Sequence, residues 1–209
     1  MIKAIILDWS GVVSDDLNLV YETTNRIFKK LGKKFMSIDQ FRESFDLPYM
    51  DFYRSLGIKD EKSKLDSMFK QIFIKSGKKP RPLPYAKKML TWLKKKDIKL
   101  AVFSSHPQEL LDEQIKYYGM SGIFSCVIGS AHDKRSFIAK FIEKLAVEKE
   151  ETLLVGDMAH DIEAGNLAGL MTAAVLSGYH KRGKLETKGP NFILKDIRDL
   201  KFVIDGVWA

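Results

Sequence analysis

The sequence has almost no cysteine: Cys126 is the only one in 209 residues. A single cysteine excludes an intrachain disulfide framework, and the apolar run around it predicts a buried structural thiol. No stretch is long and apolar enough to span a membrane. The apolar run at the N-terminus is too short for a signal peptide and lacks a cleavage site. We therefore expect a cytoplasmic protein with no membrane partner.

Patterns that bind nucleic acid are also missing, although the net charge is +8. The lysines fall in short clusters such as residues 94–96, acids are interspersed elsewhere, and aromatic and basic residues do not alternate as they do on surfaces that stack bases. The excess charge predicts a solvated lysine surface whose field attracts a small anionic substrate. We expect no nucleic-acid partner, and the sequence leaves the oligomeric state open.

Short apolar segments alternate with helical patterns along most of the chain. The first segment, residues 2–7, is apolar apart from Lys3 and predicts a buried strand that ends at Asp8. Four more candidate strands follow, at Ile98–Phe103, Phe124–Ile128, Thr152–Val155 and Thr172–Leu176. Helical patterns lie at Tyr85–Lys96, Pro107–Tyr118 and Ser136–Leu145. This alternation predicts an α/β fold with a parallel sheet covered by helices on both faces.

Residues 16–79 interrupt the alternation and contain no convincing strand. Apolar residues recur at helical spacing within Leu17–Leu31 and again within Leu65–Phe73, and Ser37–Gln40 resembles a capping box. The length of the chain fits one core domain that carries a small insertion. We predict a helical cap domain at residues 16–79 and a core domain made of residues 1–15 and 80–209.

Polar side chains follow the ends of the predicted strands. Asp8 follows the first strand, Ser104 and Ser105 the second, Lys134 lies downstream of the third, and Asp157 and Asp161 follow the fourth. Ligands of open parallel sheets bind beyond the carboxyl ends of the strands, so these groups are expected to converge at one edge. Taken singly, each has an ordinary interpretation, such as a turn residue or helix cap. The hypothesis depends on their coincidence at successive strand ends.

This set of groups suits phosphoryl transfer. Carboxylates can hold Mg²⁺, which prefers oxygen ligands, and the metal shields the phosphoryl charge from an attacking carboxylate. Attack on phosphorus then forms an aspartyl-phosphate. Hydroxyls, backbone amides and a lysine can bind the equatorial oxygens, where the transition-state charge collects.

Four segments resemble, in order, the four motifs of the haloacid dehalogenase superfamily, whose members are mostly phosphatases. The segments are Asp8–Asp15, Leu100–Ser105, Lys134 and Val155–Asp161. The resemblance covers nearly the whole chain, because the predicted inserted helices fall where many members carry a cap. It implies a Rossmann-like core with a helical cap, and a Mg²⁺-dependent phosphohydrolase that acts on a small phosphorylated metabolite.

The resemblance also implies roles for single residues. Asp8 would be the nucleophile and a magnesium ligand, with the backbone carbonyl of Ser10 and the carboxylate of Asp157 as further ligands. Asp161 would support the metal site or position Lys134.

The phosphoryl oxygens would be held by Ser104 and Lys134, with Ser105 beside them. Since the cap usually sets specificity in this family, Tyr49 and Arg54 are candidate substrate contacts.

Position 10 departs from the family pattern, because its phosphatases place a second aspartate there as general acid and base. A serine does not titrate near neutrality, and loss of such a group costs about a hundred- to ten-thousand-fold in rate. Three explanations compete. First, the substrate has a good leaving group, such as an acyl phosphate. Second, another residue acts as the acid and base: Asp15, Asp16 and His106 are candidates, while His160 is as easily a surface residue. Third, the protein has drifted from catalysis towards binding.

Two other hydrolytic activities of the superfamily remain open. The segment Asp8–Gly11 is similar to that of phosphonoacetaldehyde hydrolases, which need a cap lysine for a Schiff base. Tyr49 falls at that place, and the nearby Lys59, Lys62 and Lys64 resemble surface residues. Dehalogenases also lack the second aspartate, but they do not need a magnesium site. The alternative from another class is a non-catalytic or weakly active phospho-ligand-binding protein.

Overall fold

The computed structural model describes residues 1–207. Its strands, in chain order, are β1 (Ala4–Leu7), β2 (Ser14–Asp15), β3 (Arg81–Pro82), β4 (Lys99–Phe103), β5 (Cys126–Ile128), β6 (Thr152–Gly156), β7 (Met171–Val175) and β8 (Phe192–Leu194). Six of them form a parallel sheet in the order β5-β4-β1-β6-β7-β8, and β2 pairs with β3 in a separate antiparallel ribbon.

Ten α-helices lie within the described residues. They are α1 (Leu17–Lys30), α2 (Ile38–Ser44), α3 (Tyr49–Ser55), α4 (Lys62–Lys75), α5 (Ala86–Lys95), α6 (Gln108–Tyr117), α7 (Lys134–Leu145), α8 (Ala159–Leu167), α9 (Arg182–Glu186) and α10 (Leu200–Ile204). No helix in this part of the chain combines the length and the apolarity that a membrane crossing requires.

The strand side chains alternate between two buried layers, as the period of two requires. In β1, Ile5 and Leu7 pack in the apolar cluster that contains α5 and α10 residues, whereas Ile6 packs in the cluster that contains Phe141 of α7. Both faces of the sheet are therefore covered, which explains why these strands read as unbroken apolar runs. The predicted α/β fold with a parallel sheet and helices on both faces is confirmed.

Some elements differ from the sequence-based expectations. The three-residue strand β8 and the two-residue strands β2 and β3 were not predicted, because such short segments carry no measurable period. Helix α3 was also not predicted. Helix α7 begins at Lys134 rather than Ser136, with Asp133 as its N-cap. Cys126 is half-buried and not the fully buried thiol that the apolar run suggested.

Helices α1–α4 lie between β2 and β3 in the chain and share an apolar cluster that also includes Tyr179 of the core. The expected capping box opens α2, since Ser37 and Gln40 exchange side-chain to backbone hydrogen bonds of 3.2 and 2.8 Å. The loop after β7 holds this segment: Arg42 donates to the carbonyls of Tyr179 and His180 at 3.0 and 3.3 Å. These helices therefore sit against the carboxyl edge of the sheet.

Candidate active site

The three central strands bring their first polar residues to one edge of the sheet. β1 lies between β4 and β6, so Asp8, Ser104 and Asp157 follow adjacent parallel strands in register. The ladder continues into this edge, because the amide of Asp8 donates to the carbonyl of Val155 at 2.9 Å. All three polar side chains are buried, with exposed fractions of 6, 1 and 0%. The expected convergence at the carboxyl edge is present.

Lys134 is the cation of the site and is 1% exposed. Its Nζ lies 2.8 Å from Asp8 Oδ1 and 2.5 Å from Asp161 Oδ1. Burial acts to lower the pKa of Lys134, but the two carboxylates more than compensate, and its pKa is raised. The ammonium therefore stays charged. Because α7 begins at Lys134, the first turn of this helix fixes where the ammonium emerges.

Asp161 has no free oxygen in this arrangement. Its Oδ1 accepts from Lys134 at 2.5 Å and its Oδ2 accepts from the amide of Met158 at 3.0 Å. The carboxylate caps the first turn of α8 and anchors the lysine at the same time. Its contacts match the positioning of Lys134, one of the two roles expected for it.

Asp157 has one oxygen that no described residue satisfies. Its Oδ2 accepts from the amide of Tyr179 at 2.6 Å, whereas its Oδ1 is buried without a hydrogen-bond partner. Burial, followed by the charges of Asp8 and Asp161, raises the pKa of Asp157 well above its usual range. Oxygens of these three carboxylates lie within 4.8 Å of one another. Crowded, buried carboxylates with an unpaired oxygen are a donor set that fits a hard cation such as Mg²⁺.

Two glycines let the backbone wrap closely around Asp157. A Cβ on Gly178 would lie 1.9 Å from Asp157 Oδ2, and one on Gly11 would lie 2.3 Å from the same atom. Gly11 also has a positive φ of 73°, which strains other residues. Neither position can accept a side chain without displacing the carboxylate.

Ser10 is hydrogen-bonded to Asp16, one of the three candidates for the missing acid. The Ser10 hydroxyl donates to Asp16 Oδ2 at 2.7 Å, and the Tyr179 hydroxyl donates to Asp16 Oδ1 at 3.1 Å. Asp16 is 2% exposed, and burial raises its pKa to about 7 despite these hydrogen bonds. Asp15, by contrast, is exposed. Of the two neighbouring acids, the structure connects Asp16 alone to Ser10.

His106 is connected to Trp9 through one intervening amide. The indole Nε1 of Trp9 donates to Gln114 Oε1 at 2.7 Å, and Gln114 Nε2 lies 3.0 Å from His106 Nε2. Burial lowers the pKa of His106 to about 4, although the charge of Asp8 acts in the opposite direction. This imidazole is neutral near neutrality and lies within the electrostatic reach of Asp8.

The three remaining candidate substrate contacts, Ser105, Tyr49 and Arg54, lie at different distances from the cluster around Asp8. Ser105 is half-buried next to Ser104. Tyr49 packs in a T-shaped pair with the His132 ring, at 5.7 Å between centroids, so it bridges the inserted helices and the loop before Lys134. The side chain of Arg54 is 68% exposed and pairs with Asp51 on its own helix, which leaves it outside the cluster around Asp8.

The suggestion that His160 is as easily a surface residue is wrong. His160 is 2% exposed, and its Nε2 accepts from the amide of Lys134 at 3.0 Å. It therefore satisfies the first backbone amide of α7, at Lys134. The Gly178-Tyr179-His180 segment was missed altogether, although it follows a predicted strand. Its sequence carries no charged side chain as a signal, because the segment acts through backbone amides, a phenol and a buried imidazole.

The chain is similar to known proteins over most of its length. The family model of haloacid dehalogenase-like hydrolases matches residues 5–175. A phosphoglycolate phosphatase of Aquifex aeolicus is 38% identical over 133 residues, which cover 61% of this chain and 60% of that protein. The pyrophosphatase PpaX of Oceanobacillus iheyensis is 24% identical over 217 aligned positions, covering 100% of this chain and 99% of that one. A haloacid dehalogenase-like hydrolase of Streptococcus pneumoniae superposes with a TM-score of 0.83, at 17% identity, over 97% of this chain and 98% of the other.

Proposed function

Because this chain belongs to the haloacid dehalogenase-like hydrolase family, we propose that it is a magnesium-dependent phosphatase that forms an aspartyl-phosphate on Asp8. The observation that carries the proposal is the meeting of a buried carboxylate with a permanently charged lysine: Asp8 Oδ1 lies 2.8 Å from Lys134 Nζ. An ammonium held between two carboxylates neutralises the phosphoryl group as it approaches. The helices α1–α4 would form the cap over this site.

The residues around Asp8 have distinct tasks in this proposal. Asp8 attacks phosphorus as the oxygen of the substrate leaves, and water then hydrolyses the acyl phosphate. Lys134 and the hydroxyl of Ser104 bind the non-bridging oxygens. Mg²⁺, held by Asp8, Asp157 and the carbonyl of Ser10, would neutralise the charge of the phosphoryl group. Asp161 keeps the lysine in place.

The substrate is a small phosphorylated compound. Phosphoglycolate and pyrophosphate, named for the relatives, are the first candidates, and acyl phosphates are added because Ser10 offers no titrating group to the leaving oxygen. Tyr49 is the proposed cap contact, since it reaches the loop that leads to Lys134. We place the protein in the cytoplasm.

A specific contact weighs against a phosphonoacetaldehyde hydrolase. Lys62 Nζ lies 5.5 Å from the centre of the Tyr49 ring, near the place where that activity needs a lysine. A Schiff base requires a neutral amine. The hydrogen bond from Lys62 to Asp66, at 2.7 Å, raises the pKa of this amine, so it stays an ammonium.

The test is a turnover panel with Mg²⁺ that contains acetyl phosphate, para-nitrophenyl phosphate, phosphoglycolate and pyrophosphate. Release of inorganic phosphate from at least one compound, lost on addition of chelator, is the expected result. Thermal stabilisation by these compounds without any turnover would contradict the proposal and favour a phospho-ligand-binding protein.

A further inference from the structure

We infer that Trp9 and Gln114 hold His106 with its proton on Nδ1, and that this N–H donates a hydrogen bond to a phosphoryl oxygen of the substrate. The second half of the inference rests on the proposed function. The first half is a statement about hydrogen-bond donors and acceptors in the protein itself, and it can be tested separately.

The direction of the hydrogen bonds follows from Trp9, which can only donate. Its indole N–H points at Gln114 Oε1 across 2.7 Å, so the amide of Gln114 has its oxygen towards the indole. The opposite orientation would place two N–H donors against each other. The amide NH₂ of Gln114 therefore faces His106.

The contact between Gln114 Nε2 and His106 Nε2, at 3.0 Å, then needs a lone pair on the imidazole. A neutral imidazole has one N–H and one lone pair, so the proton lies on Nδ1. Burial keeps the ring neutral, because it lowers the pKa of His106 to about 4. Trp9 is 0% exposed and stacks on Tyr118 at 5.6 Å between ring centroids. This packing fixes the indole from which the hydrogen bonds to Gln114 and His106 begin.

The N–H on Nδ1 makes no hydrogen bond to another residue in residues 1–207. His106 lies on the turn after β4 that carries Ser104: its amide lies 3.3 Å from Ser104 Oγ, and the charge of Asp8 acts on the ring. An oriented, unpaired donor at this place has a natural partner in the anion that Asp8 attacks. Because neutral imidazole does not release this proton near neutrality, His106 donates a hydrogen bond and is not the missing general acid.

The tautomer is tested by ¹⁵N NMR of the histidine rings, with His106 assigned by the signals that disappear in His106→Asn. We expect Nδ1 of wild type to carry the proton and Nε2 to show the shift of an unprotonated nitrogen. In Gln114→Glu both carboxylate oxygens accept, so a proton must move to His106 Nε2. Gln71→Glu adds the same charge on an exposed helix position and should change nothing. A proton on Nε2 in the wild-type protein would overturn the inference.

Binding is tested with inorganic phosphate and Mg²⁺ in the same spectra. Saturating phosphate should shift the Nδ1–H signal in wild type, and an unchanged signal would overturn the proposed contact. This readout does not require turnover. A protein that hydrolyses none of the phosphate compounds would therefore refute the proposed function without obscuring the state of His106.

Activity provides a matched pair of variants. The side-chain nitrogen of Asn is as many bonds from Cα as Nδ1 of histidine, whereas that of Gln corresponds to Nε2. His106→Asn should keep kcat/KM within about threefold, and His106→Gln and His106→Ala should lose roughly ten- to a hundredfold, mainly in kcat. Equal losses for Asn and Gln, or full activity of the Ala variant, would contradict a donor at Nδ1.

Discussion

The hydroxyl of Ser10 donates to the carboxylate of Asp16 across 2.7 Å; Ser10 is half-buried, Asp16 is buried, and both lie within 8 residues of the proposed nucleophile Asp8. The proton of the Ser10 hydroxyl is thus directed at the carboxylate of Asp16. At the position where related phosphatases carry the acid that protonates the leaving oxygen, Ser10 is instead hydrogen-bonded to Asp16. Asp16 in turn accepts a hydrogen bond from Tyr179 at 3.1 Å.

The rate should therefore depend steeply on the leaving group. With the Ser10 proton bonded to Asp16, a departing oxygen carries its charge unaided, so acetyl and aryl phosphates should react faster than alkyl phosphates. The measurement is kcat/KM for a series of aryl and alkyl phosphates of graded leaving-group pKa. A rate that stays flat across the series would show that a general acid operates in this site.

Asp8→Asn should abolish turnover and leave the fold intact. The amide has nearly the same shape as the carboxylate but is not a nucleophile, and loss of a nucleophile costs several powers of ten. Phosphate release and circular dichroism measure the two effects. Asp39→Asn is the matched control, because the side chain of Asp39 is exposed and its ion pair with Lys181 lies at the surface. Retention of more than about a tenth of the activity would contradict the role of Asp8.

Asp157→Asn should weaken Mg²⁺ binding, whereas chelator should stop activity of the wild-type protein. Asp157 Oδ1 is the buried oxygen that lacks a partner, and an amide supplies a weaker, uncharged ligand in its place. Titration calorimetry with Mg²⁺ should show an affinity lower by at least about tenfold. Undiminished activity in excess chelator would favour the metal-independent dehalogenase alternative.

Lys134→Met should destabilise the protein severely. The substitution leaves Asp8 and Asp161 buried together without their cation, and breaking a buried ion pair in this way costs about 3–5 kcal/mol. Urea unfolding in chelator measures the loss. Lys78→Met is the control, because its ion pair with Glu22 is exposed and such pairs contribute about 1 kcal/mol or less. Similar losses in the free energy of unfolding for the two variants would show that the Lys134 ammonium does not compensate the charges of Asp8 and Asp161.

The sheet and the central part of the site could be predicted from the sequence for a simple physical reason. Buried parallel strands must be apolar on both faces, so each one ends visibly where the first polar side chain occurs. Asp8, Ser104 and Asp157 all stand at such ends, and adjacency in the sheet then brings them together. The three-residue strand β8 escaped because its apolar run is too short to show a period.

Contacts that depend on the final packing could not be predicted. Asp16 is one example, because its hydrogen bond from Tyr179 joins residues 163 positions apart, and its burial depends on that packing. Gln114 lies in an ordinary amphipathic helix, and nothing in that pattern indicates that its amide connects Trp9 with His106. Such roles follow from donor and acceptor geometry, which is decided only once the helices are docked on the sheet.

The Ser10–Asp16 hydrogen bond changes what is expected from restoring the missing acid. Ser10→Asp alone would set a carboxyl against the buried Asp16 at the place of a 2.7 Å hydrogen bond, and the two would compete for one proton. Replacing Asp16 as well, in Ser10→Asp/Asp16→Asn, turns the buried partner into an amide that can donate to the new carboxylate.

The double variant should hydrolyse alkyl phosphates at least about tenfold faster than wild type, on the scale that a general acid supplies. Acetyl phosphate should change little, because its leaving group needs no proton. Mg²⁺ affinity is measured in parallel, since an added charge near Asp8 and Asp157 can disturb the metal. An unaltered affinity with no gain on alkyl phosphates would show that position 10 does not limit catalysis.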